Sequence, residues 1–121
     1  MKSTRDIGFE KEKEVVEHLK RLKYKILDTN FRSRFGEIDI IAKQDDTIAF
    51  IEVKYRKASS ICTPQEAVTY SKQKKIIKSA IVYIKLHHIK NNVRFDIAAV
   101  DDNNIEIINS AFSVSEEIYY F

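Results

Sequence analysis

The chain has 121 residues, which is enough for one compact domain and too few for two of ordinary size. With 44% hydrophobic and 32% charged residues, its composition is that of a globular protein rather than of a disordered segment. The single cysteine, Cys62, excludes an intramolecular disulfide and a cysteine-rich zinc site. We expect one domain over residues 1–121, with a core over about 6–112 and a tail over 113–121.

The net charge is +3, from 21 basic and 18 acidic residues. This mild excess gives little support by itself to a polyanionic partner, but clustering of acids in one site would leave the remaining surface more basic. The N-terminus opens no apolar run, and no stretch approaches the ~20 apolar residues of a membrane span. The sequence therefore predicts a cytoplasmic protein without membrane contact.

Apolar residues at three- and four-residue spacing predict a first, amphipathic helix over residues 6–23. Val15, Leu19 and Leu22 form its apolar stripe, with charged residues between them. Asp6 is the expected N-cap, because an aspartate side chain can accept a hydrogen bond from the first turn.

Three β-type runs follow, over residues 24–31, 37–43 and 47–55. The second alternates acids with isoleucines, and the third is mostly apolar. The polar residues 44–46 between these two runs suit the turn of a hairpin.

A second helix is predicted over residues 64–86, with Thr63 as N-cap and Pro64 at the first helical position. Two further strands are expected over 93–100 and 104–109, so the element order is α-β-β-β-α-β-β. The tail is ambiguous, although its apolar residues 118–121 could pack as a short last element.

Charged residues lie on one face of the second and third strands. Side chains alternate between the faces of a strand, so Glu52 and Lys54 share a face, as do Glu37 and Asp39; Ile38 and Ile40 share the opposite one. If the two strands form a hairpin, Asp39, Glu52 and Lys54 converge. The ordinary explanation is a solvated face with salt bridges, which contribute only about 0–1 kcal/mol each.

The apolar character of both strands favours a different interpretation, in which helices cover both faces. Asp39 and Glu52 would then repel each other unless a cation lay between them. Mg²⁺, or the similar Mn²⁺, commonly uses one or two carboxylates with waters and phosphate oxygens. The Val53 carbonyl is a further candidate ligand. Lys54 could position a water or neutralise a phosphate, as phosphodiester hydrolysis requires.

Basic residues near this predicted site could bind a nucleic-acid backbone, which positions the polymer without reading its sequence. The candidates are Arg32, Arg34, Arg56 and Lys72, and an ordinary solvated surface is the alternative. Glu37 could be a spare metal ligand or could form a salt bridge with Arg34 or Arg56.

Two blocks at a characteristic separation carry a family resemblance: Gly-Glu-Ile-Asp over residues 36–39, and Glu-Val-Lys-Tyr-Arg over 52–56. With them, the chain resembles the YraN-like family of small bacterial proteins, within the PD-(D/E)XK nuclease superfamily of restriction-endonuclease-like fold. The similarity covers about residues 8–112. It includes residues 8–19, 30–35, 50–51, 64–68 and 94–96, with Lys72 and Ala80.

The resemblance implies a mixed central β-sheet flanked by helices. Asp39, Glu52 and Lys54 match the active-site triad of the superfamily. Glu12 matches an additional acid on the first helix of resolvase-like branches; its sequence spacing alone would equally suit a solvated helix residue. The proline in the name of the motif is absent, since Ile38 precedes Asp39.

The resemblance also implies a function. We expect metal-dependent hydrolysis of phosphodiester bonds by an endonuclease acting on structured or branched DNA in repair or recombination, with Mg²⁺ or Mn²⁺ as cofactor. The superfamily is similar in this respect to archaeal-type Holliday-junction resolvases, whose two-fold symmetry suggests a homodimer. The alternatives are a non-catalytic nucleic-acid-binding module on the same fold and a protein-interaction domain.

Overall fold

The structure, a computed structural model, describes residues 2–57 and 62–114. The expected short element at residues 118–121 lies outside these residues. The elements in chain order are α1 (Thr4–Arg21), β1 (Lys25–Ser33), β2 (Gly36–Gln44), β3 (Thr47–Tyr55), α2 (Pro64–Ala67), α3 (Tyr70–Leu86), β4 (Asn92–Val100) and β5 (Ile105–Phe112).

All five strands form one mixed sheet in the order β1-β2-β3-β4-β5. Neighbouring strands are antiparallel except β3 and β4, which are parallel. A parallel pair needs a long crossover connection, and the segment containing α2 and α3 supplies it. The predicted mixed α/β architecture is confirmed, and it is consistent with a restriction-endonuclease-like fold.

Each face of the sheet carries its own apolar core. On one face Val15 and Leu19 of α1 pack against the sheet, and on the other face Ile76 and Ile77 of α3 do so. The central strands are covered on both sides, which is why their sequences are almost continuously apolar. None of the helices in the described residues is long and apolar enough to cross a membrane.

The N-terminus of α1 differs from the prediction that Asp6 is the N-cap. Ser3 is the N-cap: its hydroxyl accepts the Asp6 N–H at 3.1 Å, while the Asp6 carboxylate accepts the Ser3 N–H at 3.3 Å. The two residues form a capping box, which satisfies two backbone donors at the start of the helix. The assignment of Asp6 as N-cap was therefore wrong by one turn.

The segment predicted as one helix over residues 64–86 is divided into two. Thr63 caps α2 as predicted, accepting the Glu66 N–H. Val68 then leaves the helical conformation and is buried in the core, and Thr69 caps α3 by accepting the Lys72 N–H. Two adjacent β-branched residues, one of them a good N-cap, favour this break.

The last strand, β5, extends three residues beyond the prediction. Ser110 adopts φ +51° at an irregularity in the β4–β5 pairing and donates its N–H to Asp96 at 2.9 Å. Asp96 is fully buried, and Arg94 neutralises it at 2.8 Å. This buried ion pair supports the irregularity, beyond which the strand continues to Phe112.

Candidate functional site

Strands β2 and β3 stop pairing where the predicted acidic residues lie. Their ladder starts at the turn and ends at the pair Ile40 and Ile51. Beyond this pair, the Oδ2 atom of Asp39 accepts the backbone N–H of Val53 at 2.8 Å. A side chain thus takes the place of a backbone partner, and Asp39 lies beside Glu52 at the point where the strands separate.

Burial dominates the electrostatics of this acidic pair. It raises the pKa of Asp39 to about 7; the charge of Glu52 adds to this effect, and the Val53 N–H opposes it. Burial also raises the pKa of Glu52, against the opposing effects of Lys72, a hydrogen bond with Asp39, and Lys54. Because the pKa values of both acids are raised, the pair retains a proton more readily than two ordinary acids.

One oxygen of Glu52 is left without a donor when both acids are ionised. The side chain is only 11% exposed, and its Oε1 lies 4.0 Å from Nζ of Lys72. Its Oε2 is buried and accepts no hydrogen bond from the described residues. Leaving a buried polar atom unsatisfied costs about 1–3 kcal/mol. This oxygen is therefore available to a shared proton or to a bound cation.

The structure brings the other two predicted catalytic residues to the same place. Lys54, Glu52 and Glu12 line a hollow of about 410 Å³ beside the N-terminal half of α1. Burial raises the pKa of Glu12, a hydrogen bond from Asn30 opposes this effect, and the charge of Asp39 adds to it. The four side chains predicted as catalytic thus come from α1, β2 and β3; Glu12, Glu52 and Lys54 line one hollow, and the charge of Asp39 acts on Glu12.

Strict alternation fails on β2, so the expectation that Ile38 and Ile40 share a face was wrong. Ile38 packs in the core under α3, and Ile40 packs in the core under α1. The change of side falls at Asp39, which the β1–β2 register places opposite Asn30, whose φ of +53° departs from strand geometry. Both isoleucines are buried, each in the core on its own side of the sheet.

Asn30 is a site residue that the sequence analysis missed. Its amide nitrogen donates to Glu12 Oε2 at 3.1 Å and to Glu37 Oε1 at 2.9 Å, so it connects the first helix to the sheet. Asparagine tolerates the left-handed conformation better than most residues and is depleted in strands. An asparagine inside a predicted strand was the available signal.

Two of the predicted nucleic-acid-binding residues lie near the acids. Lys72, at the start of α3, faces Glu52. Arg32 has a side chain 75% exposed, and its Nε lies 3.5 Å from Glu37 Oε2. Among the described residues, the salt-bridge partner of Glu37 is therefore Arg32 rather than the expected Arg34 or Arg56.

The other two predicted cations contact residues other than the acidic pair. Arg34 is exposed at the turn between β1 and β2, with its guanidinium 4.8 Å from the centre of the Phe35 ring. The Arg56 guanidinium donates to the backbone carbonyl of Cys62 and to its sulfur. Arg56 thereby connects the end of β3 to the residue that precedes Thr63.

The predicted metal ligands are few. Within residues 2–57 and 62–114, no three His, Cys, Asp or Glu side chains are arranged to hold a metal ion. The predicted donors are instead two carboxylates, Asp39 and Glu52, with the Val53 carbonyl. Such a set fits Mg²⁺ or Mn²⁺, which can complete the shell with water and phosphate oxygens. The donor-free Oε2 of Glu52 supports this fit.

Fold and site together define a class: a small mixed α/β protein with paired, buried carboxylates and a lysine where two strands of the sheet separate. The chain belongs to the Uncharacterised protein family UPF0102, whose model matches residues 11–100. The expected membership of the YraN-like family is thereby confirmed. The matched region contains every predicted catalytic, metal-binding and nucleic-acid-binding residue.

Relatives share almost the full length of the chain. A UPF0102 protein of Thermodesulfovibrio yellowstonii is 45% identical over 107 residues, which cover 88% of this chain and 96% of the relative. One from Persephonella marina is 44% identical over 108 residues, covering 88% and 93%. One from Clostridium botulinum is 42% identical over 118 residues, covering 91% and 96%.

Proposed function

We propose that this protein is a metal-dependent nuclease of the PD-(D/E)XK superfamily that hydrolyses phosphodiester bonds in structured or branched DNA. The observation that carries the proposal is the buried, donor-free Oε2 of Glu52 beside the carboxyl group of Asp39. Holding two ionised acids together out of water costs free energy, and a divalent cation bound between them offsets that cost.

The residues of the site have separate roles in this proposal. Asp39 and Glu52, with the Val53 carbonyl, hold Mg²⁺ or Mn²⁺, which supplies Lewis-acid stabilisation of a phosphate and a more acidic water. Lys54 positions that water or stabilises charge on the phosphate. Glu12, fixed by its hydrogen bond from Asn30, completes the acidic wall of the hollow.

The surrounding cations support a polyanionic substrate. We assign Arg32, Arg34 and Lys72 to the phosphate backbone, since all three are exposed. Arg56 instead holds the end of its strand through Cys62. We further propose a cytoplasmic location, where bacterial DNA lies, and a homodimer that presents two sites to a branched substrate. Sedimentation would distinguish the 14.2 kDa monomer from the dimer.

The test is cleavage of a panel of branched, nicked, single-stranded and duplex DNAs in Mg²⁺, in Mn²⁺ and in EDTA. The wild type should cleave at least one DNA only with a metal ion. Asp39→Asn and Glu52→Gln should lower the rate by about 10²–10³-fold, the range for loss of one preorganised electrostatic group. Glu106→Gln, which changes an exposed acid on β5, is the matched control and should leave the rate unchanged.

The remaining outcomes separate the alternatives. Undiminished cleavage by folded Asp39→Asn protein would refute the assignment of the site. Salt-sensitive DNA binding with no products in either metal ion would favour a non-catalytic nucleic-acid-binding module. A lack of nucleic-acid binding even at low salt would favour a protein-interaction domain.

A further inference from the structure

We infer that a groove next to the candidate site binds an unpaired nucleotide, with its base against the ring of Phe9 and neighbouring phosphates at Arg5 and Arg32. The inference rests on the proposed function, because it takes nucleic acid as the substrate, and it specifies the substrate class as DNA with a single-stranded segment. The groove, of about 430 Å³, is called the Phe9 groove and is lined by Arg5, Phe9, Asn30 and Arg32, among others.

Phe9 is an exposed aromatic residue beside the site. It is 42% exposed, whereas Val15 and Leu19 of the same helix are fully buried. A second hollow of about 610 Å³, lined by Val16 and Thr29, also borders Phe9, so the ring is accessible from both hollows. Aromatic side chains in such positions are the common stacking platforms for unpaired bases, because every base has a π-face.

Two cations line the groove together with this ring. The Arg5 guanidinium lies 5.5 Å from the centre of the Phe9 ring, and the Arg32 side chain is 75% exposed. The acids of the groove, Glu12 and Glu37, both accept hydrogen bonds from Asn30, and Glu37 also pairs with Arg32. An exposed pair of this kind is weak, so a phosphate can compete for Arg32.

The Phe9 groove adjoins the hollow that Glu52 and Lys54 line. Gly8 and Glu12 line both of them, and a Cβ atom added at Gly8 would meet no described atom within 4 Å. A strand bound in the groove would therefore lead towards Glu52 and Lys54. The groove volume lies within the roughly 300–1,000 Å³ of small-ligand sites, which suits a nucleotide whose base is free of its partner strand.

The experiment measures binding in EDTA, so that it depends neither on cleavage nor on a metal ion. Fluorescence anisotropy would follow a labelled oligothymidylate, the same oligonucleotide with abasic central positions, and a blunt duplex. Phe9→Ala should weaken binding of the oligothymidylate by about 5- to 100-fold. Binding of the abasic oligonucleotide and of the duplex should change little. Phe9→Trp should retain affinity for the oligothymidylate.

Leu22→Ala is the matched control, because Leu22, the C-cap residue of α1, carries another exposed apolar side chain. It should leave all three affinities unchanged, and circular dichroism would show that each variant is folded. Equal losses for all three ligands, or no loss with Phe9→Ala, would overturn the inference. Base-dependent binding in EDTA without metal-dependent cleavage would support the groove and refute only the proposed catalysis.

Discussion

Asp39 and Glu52 behave unlike acids on an open surface, because burial disfavours the charged form of each; the charge of Glu52 adds to this effect at Asp39, and the charge of Glu12 adds to it at Glu52. The Val53 N–H and the Lys72 ammonium offset only part of this cost. In the absence of a divalent cation, the site should therefore oppose folding at any pH where both acids are ionised.

The first prediction follows from the pKa of Asp39, which is raised from 3.8 to about 7. Its contribution favours folding below about pH 4 and is lost as the pH rises towards 7. In EDTA, Asp39→Asn should increase the free energy of unfolding at pH 8 by about 1–3 kcal/mol and change it little at pH 4. Urea unfolding at the two pH values would measure the difference.

Asp46→Asn is the control for that measurement, since Asp46 is an exposed residue of the β2–β3 turn. It removes one charge without touching the site. A loss of stability at pH 8 for Asp39→Asn, or the same gain at both pH values, would contradict the electrostatic account. Added Mn²⁺ should stabilise the wild type more than the variant, because a ligand stabilises the state that binds it.

The candidate residues were predictable where chemistry follows local spacing. Glu52 and Lys54 stand two apart on a strand, and Asp39 follows from pairing that strand with its neighbour. Asn30 escaped prediction because its role depends on a local distortion of β1 and on a partner in another layer. The contact between Lys72 and Glu52 likewise depends on how α3 crosses the sheet, which periodicity does not determine.

At the scale of elements, the N-terminal half of α1 carries Gly8, Phe9 and Glu12. Gly8 is helical, and a Cβ at this position would have open space. Glycine inside a helix is less favourable than alanine by about 0.5–1 kcal/mol. Gly8→Ala should therefore stabilise the protein by that amount, measured by urea or thermal unfolding. A loss of stability would instead mean that the position requires glycine.

The strand and helix boundaries show which local signals are sufficient. The bounds of β3 were predicted at both ends, because polar turn residues precede it and its apolar run is continuous. The division between α2 and α3 was not predicted, since the stripe of Ile77 and Ala80 lies entirely in the later helix. Periodicity located that helix without showing where it begins.

At the scale of the whole molecule, the net charge of +3 understates the basic character of the surface. Part of the acidic content is gathered around Asp39 and Glu52. Each phosphate contact to duplex DNA contributes about −0.9 to the slope of log affinity against log salt. Combined replacement of Arg32 and Arg34 by alanine should therefore make the slope shallower by about 1.8.

Arg56→Ala is the matched control for this salt series, because the Arg56 guanidinium is engaged by Cys62. It should leave the slope unchanged while lowering stability. An unchanged slope in the double variant, or an equal change with Arg56→Ala, would show that the polyanion binds on another surface.

The overall architecture was predictable because the residue patterns within the elements and the order of the elements indicate the same fold. Short apolar strands, two amphipathic segments and the crossover before β4 leave few alternatives to a sheet covered on both faces. The side of the sheet on which each strand residue packs was less predictable, as Ile38 and Ile40 show. That detail depends on an irregularity produced by tertiary structure.

The ion pair of Lys72 with Glu52 and the hydrogen bond of Asn30 with Glu12 join the sheet to helices on its opposite faces. The raised pKa values of these acids are consequently a collective property of the fold, which no fragment lacking either helix would reproduce. Proton release from these acids should then follow the global unfolding transition, so that titration of a single carboxyl group reports on the cooperative integrity of the entire molecule.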